Sequence, residues 1–138
     1  MDFGVKHKKR IIIGAHYDVC GNQQGADDNA SGVAGLLELA RLLSKEKLNY
    51  RIDFVAYTLE EPPFFRTKQM GSFIHANYLF TNNIPVKGII SLEMIGYYSN
   101  KKGSQYYPIA DMTSKYGDIA DFITVVQSEK SGEFGKQI

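Results

Sequence analysis

Residues 10–15, Arg-Ile-Ile-Ile-Gly-Ala, make a continuous apolar and β-branched run, the pattern of a strand buried on both faces. A stretch rich in Gly, Asn, Gln and Asp follows at 21–29 and reads as loop. From about residue 30 to 45 the period lengthens. Val33, Leu36, Leu37, Ala40 and Leu43 recur at helical spacing, and either Asn29 or Ser31 can cap the start. Residues 52–58 predict a second strand, with Glu60-Glu61 just past its end and Pro62-Pro63 barring a simple continuation. A loop to about Met70 leads into a short helix over 71–80, closed by Thr81-Asn82-Asn83. Residues 86–92 predict a third strand with Glu93 at its C-terminal end. The four tyrosines, glycine, serine, lysine and proline of 97–115 suggest an irregular surface excursion. Residues 119–127 predict a fourth strand, and nothing in the sequence after it promises an element to cover the sheet.

Strand, helix, strand, helix, strand is the order of an α/β fold with an open, mostly parallel sheet and helices on both faces. Binding sites in such sheets lie outside the carboxyl ends of the strands. His16, Asp18, Glu60, Glu61 and Glu93 all fall there.

Size and charge narrow the field without naming a function. The 138 residues fit one domain, 1–138, with 43% hydrophobic and 22% charged residues, which is ordinary for a globular chain. A net charge of +1 gives no reason to expect nucleic acid or an anionic membrane as partner. The basic run Lys6-His7-Lys8-Lys9-Arg10 reads as a solvated lead-in to the first strand. Cys20 is alone, so no intrachain disulfide can form and the compartment stays open. It is either a small loop residue or a metal ligand. Ile11-Ile12-Ile13 is too short for an export signal or a membrane segment, and neither is expected in this chain.

The polar residues at the strand ends carry the chemistry. In an extended segment, residues i and i+2 point the same way, so His16 and Asp18 share a side. A metal-bound imidazole commonly gives its other N–H to a carboxylate, which assigns His16 to a metal and Asp18 to orienting it. The plainer alternative is a strand-end histidine beside a surface aspartate. Asp27-Asp28 precedes a helix start, where one acid suffices for capping, and a ligating aspartate must point away from the helix toward the strand ends. Adjacent Glu60 and Glu61 repel each other unless solvated or compensated by cations. With a metal present, one can bind it while the other acts as general base toward water.

Taken together, Gly-Ala-His-Tyr-Asp at 14–18, Gly-Ala-Asp-Asp-Asn-Ala-Ser-Gly at 25–32, Glu60-Glu61 followed by Met70-Gly71-Ser72, and Ser-Leu-Glu-Met-Ile-Gly-Tyr at 91–97 resemble the co-catalytic di-zinc aminopeptidases. These include bacterial leucyl aminopeptidases and aminopeptidase Y; glutamate carboxypeptidase, glutaminyl cyclase and the transferrin receptor ectodomain share the fold. The motifs run in the family's order over about residues 10–128.

The resemblance implies a three-layer zinc-peptidase fold, zinc as cofactor and a peptide as substrate. It gives His16 to the first zinc with Asp18 as its orienting partner, Asp28 to a bridging position and Glu93 to the first zinc. Glu60 resembles the general base and Glu61 a ligand of the second zinc, whereas Asp27 is at no ligand position. A cis peptide between Asp28 and Asn29 is implied as well. The family's last histidine has no counterpart, because histidines stand only at 7, 16 and 75. One complete zinc site, His16-Asp28-Glu93, and a second lacking a protein ligand are therefore expected, in a chain resembling a C-terminally truncated member. The implied activity is zinc-dependent release of N-terminal residues from peptides. The alternatives are an inactive remnant or binding domain of the same fold, and a single-zinc enzyme like glutaminyl cyclase. An open sheet edge would favour a homodimer.

Overall fold

The computed structural model describes residues 2–3, 9–109 and 111–136; Lys6, His7 and Lys8 of the basic run lie outside them. Four strands form one sheet: β1 (Asp2–Phe3), β2 (Arg10–His16), β3 (Arg51–Tyr57) and β4 (Val86–Ser91), in spatial order β1-β3-β2-β4. β2 is parallel to both neighbours, running in register with β3 from Arg10↔Arg51 to His16↔Tyr57. The two-residue β1 adds an antiparallel edge. The expected open, mostly parallel sheet is therefore present. Among the described residues no strand pairs with the outer edge of β4.

Alternation along β2 sends its two faces to different helices. Ile13 and Ala15 join Leu36 of α1 (Gly32–Leu43) and Ile52 in one buried cluster, flanked by Val33, Leu39 and Leu43. Leu39, rather than the expected Leu37, completes the helix stripe; Leu37 is 66% exposed. On the other face Ile12, Gly14 and His16 look toward α2 (Gly71–Thr81), across a cavity of about 270 Å³. Leu79 is the buried residue of α2, and His75 Nδ1 meets the Tyr57 hydroxyl at 2.9 Å. Gly14 permits that arrangement, since a Cβ there would stand 2.5 Å from the Tyr57 ring.

The structure departs from the sequence pattern in three places. Residues 119–127 form no strand, and Ile123, Val125 and Val126 are exposed. The β-branched composition is right for a strand, but no neighbour offers a ladder to complete it. The surface excursion contains a short helix, α3 (Asp111–Tyr116). The last described residues also return to the sheet. A 3-10 turn (Glu129–Ser131) leads into α4 (Gly132–Gly135), whose Phe134 lies so close over Gly88 of β4 that no side chain would fit beneath it. Among the described residues no helix is long and apolar enough to cross a membrane.

Candidate metal centre

β2 delivers His16 to the carboxyl end of the sheet, where it is buried to 4% exposure. Its Nδ1 lies 3.1 Å from the main-chain carbonyl oxygen of Asp18, the natural acceptor for an Nδ1–H. That contact leaves Nε2 as the lone-pair nitrogen and aims it into the site. The Asp18 carboxylate is farther away, with Oδ1 3.6 Å from Nδ1. It accepts instead the main-chain N–H groups of Glu60, at 3.2 Å, and Glu61, at 3.0 Å. Asp18 is thus the expected partner of His16, but through its carbonyl. Its carboxylate pins the segment that leaves β3.

The carboxylates reach Nε2 from three separate segments. Asp28 Oδ1 is 3.1 Å away, Glu93 Oε1 3.4 Å and Glu60 Oε2 3.9 Å. Each comes off a sharp turn. Leu59, just before Glu60, has φ 58°, and Met94, just after Glu93, has φ 47°, both in the left-handed region that side chains ordinarily avoid. The turn Ala26–Ser31 is broken by non-helical backbone at Asp28 and Asn29, and the peptide between them is cis, as the resemblance implies.

Asn29 holds these segments together. It is 1% exposed, and its Nδ2 donates to the Leu92 carbonyl at 2.9 Å and to Glu93 Oε2 at 3.3 Å. Its Oδ1 accepts the N–H of Gly32, capping α1, and the N–H of Met94, each at 3.2 Å. Asp27 points elsewhere and accepts the Gly96 N–H at 2.8 Å, while Ser31 Oγ accepts that of Ile95 at 3.0 Å. The sequence pattern marks Asn29 as a cap, and the resemblance marks it as one partner of a cis peptide, but neither ties it to the segment after Glu93. The alternation Asp27-Asn29-Ser31 is the signal that could have exposed the second role, because three side chains two apart grip three consecutive amides after Glu93.

Crowding of acids shows in their proton affinities. Burial lowers the pKa of His16, but Glu93 and Glu60 outweigh it, with Asp28 adding to them, and the net shift is upward. Glu93 is raised by burial first and by Asp28 and Glu60 besides, against the opposing pull of His16. Glu61 is raised by burial, Asp28 and Glu60. Asp18 goes the other way: burial would raise it, yet the hydrogen bonds from Glu61 and Glu60 hold it below the usual range. The cluster carries more negative charge than one imidazole can balance.

A divalent cation suits that imbalance. His16, Asp28 and Glu93 each offer a ligand atom within 4.8 Å of one another, and so do His16, Glu60 and Glu61. A tetrahedral zinc with ligands at about 2.0–2.1 Å separates them by roughly 3.3 Å. The 3.1 Å and 3.4 Å spacings from Nε2 to Asp28 and Glu93 fit that edge, and the nitrogen–oxygen donor set is one zinc accepts. Neither His75, held by Tyr57, nor Cys20, in its loop, joins either group.

Comparison with known proteins decides the family. The sequence profile of peptidase family M28 matches residues 2–134. The chain belongs to peptidase family M28. An Escherichia coli K12 relative, "Uncharacterized protein YfbL", is 52% identical over 133 residues, covering 91% of this chain and 40% of its own length. Aminopeptidase YwaD of Bacillus subtilis 168 is 29% identical, over 81% of this chain and 24% of its own length. Leucine aminopeptidase 2 of Trichophyton rubrum is 33% identical, over 67% of this chain and 18% of its own length. The chain thus spans less than half the length of these curated relatives. No solved structure matches it.

Proposed function

We propose that this chain carries the metal-binding half of a zinc-dependent aminopeptidase site, which removes N-terminal residues from peptides. The observation that carries the reading is the convergence of Asp28, Glu93 and Glu60 on one buried imidazole nitrogen, His16 Nε2. Membership of M28 and the aminopeptidase names of two relatives support it.

In this reading His16, Asp28 and Glu93 hold zinc, and Asp28 and Glu61 face a second zinc. Bound there, zinc polarises a carbonyl and makes water more acidic. Glu60 takes the proton from the attacking water and returns it to the leaving amine. Asp18 keeps Glu60 and Glu61 in place by binding their amides. The unbalanced carboxylates attract the free amine of a peptide.

A second reading, a metal-binding domain without turnover, draws on one observation. The only imidazole in either candidate ligand group is that of His16, and the sequence holds no histidine after His75. Two measurements on one preparation separate the readings. Zinc titration should give tight binding that His16→Ala abolishes. Hydrolysis of an aminoacyl anilide should require zinc and fall about 10²–10⁴-fold in Glu60→Gln with zinc retained. Turnover unchanged in Glu60→Gln contradicts the assignment of the base, and tight zinc without turnover favours the second reading.

A further inference from the structure

The cavity under α2 does not end at the carboxylate cluster. His16, Glu60 and Glu93 line one part of it, and Ile12, Leu79 and Ile89 line the same cavity farther along the sheet. Ile12 pairs with Ile89 and Gly14 with Ser91, so these residues lie at successive levels down β2 and β4. His16 stands four residues after Ile12 on β2. At a strand rise of about 3.3 Å per residue, that is a run of roughly 13 Å. The cavity volume is about 270 Å³, and an apolar cavity of about 150 Å³ already holds a benzene ring.

The remaining walls are aromatic and polarisable as well as aliphatic. The Tyr57 and His75 rings, which both line the cavity, stand 5.8 Å apart and tilted by 43°. The 2.9 Å hydrogen bond between the Tyr57 hydroxyl and His75 Nδ1 fixes them. Met70 lines the same cavity, and its Sδ accepts the Arg66 N–H at 3.1 Å. Tilted rings and a thioether are the surroundings in which a further aromatic ring is held best. Ala76 of α2 adds little bulk to its wall. Ile89 is 57% exposed, so apolar surface continuous with the carboxylate cluster has no cover among the described residues.

We propose that this cavity receives the side chain of the substrate's N-terminal residue and selects an aromatic one, with Met70, Ala76 and Ile89 as specificity-determining residues. This deepens the aminopeptidase reading and rests on it. With the free amine and scissile carbonyl held at the carboxylate end, the side chain of the same residue enters the cavity and displaces water from Ile12, Leu79 and Ile89. Buried apolar area supplies the affinity. Contacts with Tyr57 and Met70 favour a phenylalanine ring over a leucine side chain. A charged side chain would be left unpaired among the apolar walls.

The test is calorimetric binding of phenylalaninamide, leucinamide and alaninamide to the zinc-loaded Glu60→Gln protein, in which turnover does not intervene. Phenylalaninamide should bind about tenfold or more tighter than alaninamide and about threefold tighter than leucinamide. Ala76→Phe fills the cavity and Ile89→Ser strips one wall, and each should lower the affinity ratio of phenylalaninamide to alaninamide. Both positions are exposed, so neither substitution threatens the fold. Equal affinity for the three amides, binding of none, or a ratio unchanged in both variants overturns the proposal. The two readings fail separately. An aromatic preference in protein that takes up no zinc leaves the pocket standing and removes the peptidase reading. Equal affinities, in protein that binds zinc and whose wild type cleaves an aminoacyl anilide, remove the pocket alone.

Discussion

Asp18 binds the main chain of Glu61, with its carboxylate accepting that N–H at 3.0 Å and the neighbouring Glu60 N–H at 3.2 Å. One aspartate therefore sets where both glutamates stand. Its own carbonyl meanwhile orients His16. Asn cannot reproduce this, because one of its two terminal atoms would place N–H against N–H. Asp18→Asn should lower zinc affinity or turnover about 10–100-fold, the usual cost of losing such support. Melting temperature and zinc titration together check it; unchanged affinity and turnover would show that the tether is dispensable.

Asn29 predicts a stability effect as well as a functional one. It is almost wholly buried and makes four hydrogen bonds spanning the Asp28 turn, α1 and the segment after β4. Asn29→Ala strands the Gly32 and Met94 N–H groups and the Leu92 carbonyl. A loss of roughly 2–4 kcal/mol in denaturant unfolding is expected, together with weakened zinc binding because Glu93 loses its anchor. Gly32→Ala should act in the same direction, since its Cβ would sit 2.7 Å from the Leu92 carbonyl oxygen and collide with Asn29 Oδ1.

Acid stability should depend on a carboxylate away from the candidate metal centre. Asp53 on β3 takes Arg10 at 2.8 Å and Arg51 at 2.7 Å and is 13% exposed. Burial alone would raise its pKa, but the hydrogen bonds from Arg51 and Arg10 prevail and hold it below the ordinary value. A lowered native pKa stabilises the fold above the unfolded value of about 3.9, and that contribution fades as pH falls through the native one. Wild type should therefore exceed Asp53→Asn by roughly 1–3 kcal/mol at neutral pH, with the gap closing below about pH 4. A gap independent of pH would show that the pair does not titrate in this way.

The contact between β2 and β3 at the foot of the site gives a packing test. Gly14 leaves room for the Tyr57 ring, and Tyr57 reaches His75 on α2. Gly14→Ala should cost about 1–3 kcal/mol by overpacking, whereas Tyr57→Phe should cost only about 1 kcal/mol for one hydrogen bond. The reverse order would mean that the ring moves freely and the hydrogen bond dominates.

The parts of this molecule legible in its sequence are those whose cause is local. Ile11-Ile12-Ile13 announces a buried strand, and the spacing of Val33, Leu36 and Leu43 announces α1, because burial leaves a period in the residues. The rule that α/β sites gather at strand ends points to His16, Glu60 and Glu93, and the Glu60 and Glu93 carboxylates lie 3.9 Å and 3.4 Å from His16 Nε2. Residues 119–127 misled because β-branched composition records a preference, while a strand also needs a partner to bond. The main-chain ties made by Asp18 and Asn29 are not legible in the sequence for a different reason. A side chain that accepts a distant main-chain N–H leaves no mark on the residue that donates it.

The central claim is that His16, Asp28 and Glu93 hold zinc, and zinc K-edge X-ray absorption of the protein loaded with one equivalent of zinc tests it most directly. One imidazole nitrogen at about 2.0 Å with oxygen ligands at about 2.0–2.2 Å is expected, and the imidazole signal should be lost in His16→Ala. A shell without imidazole, or one unchanged in His16→Ala, would contradict it.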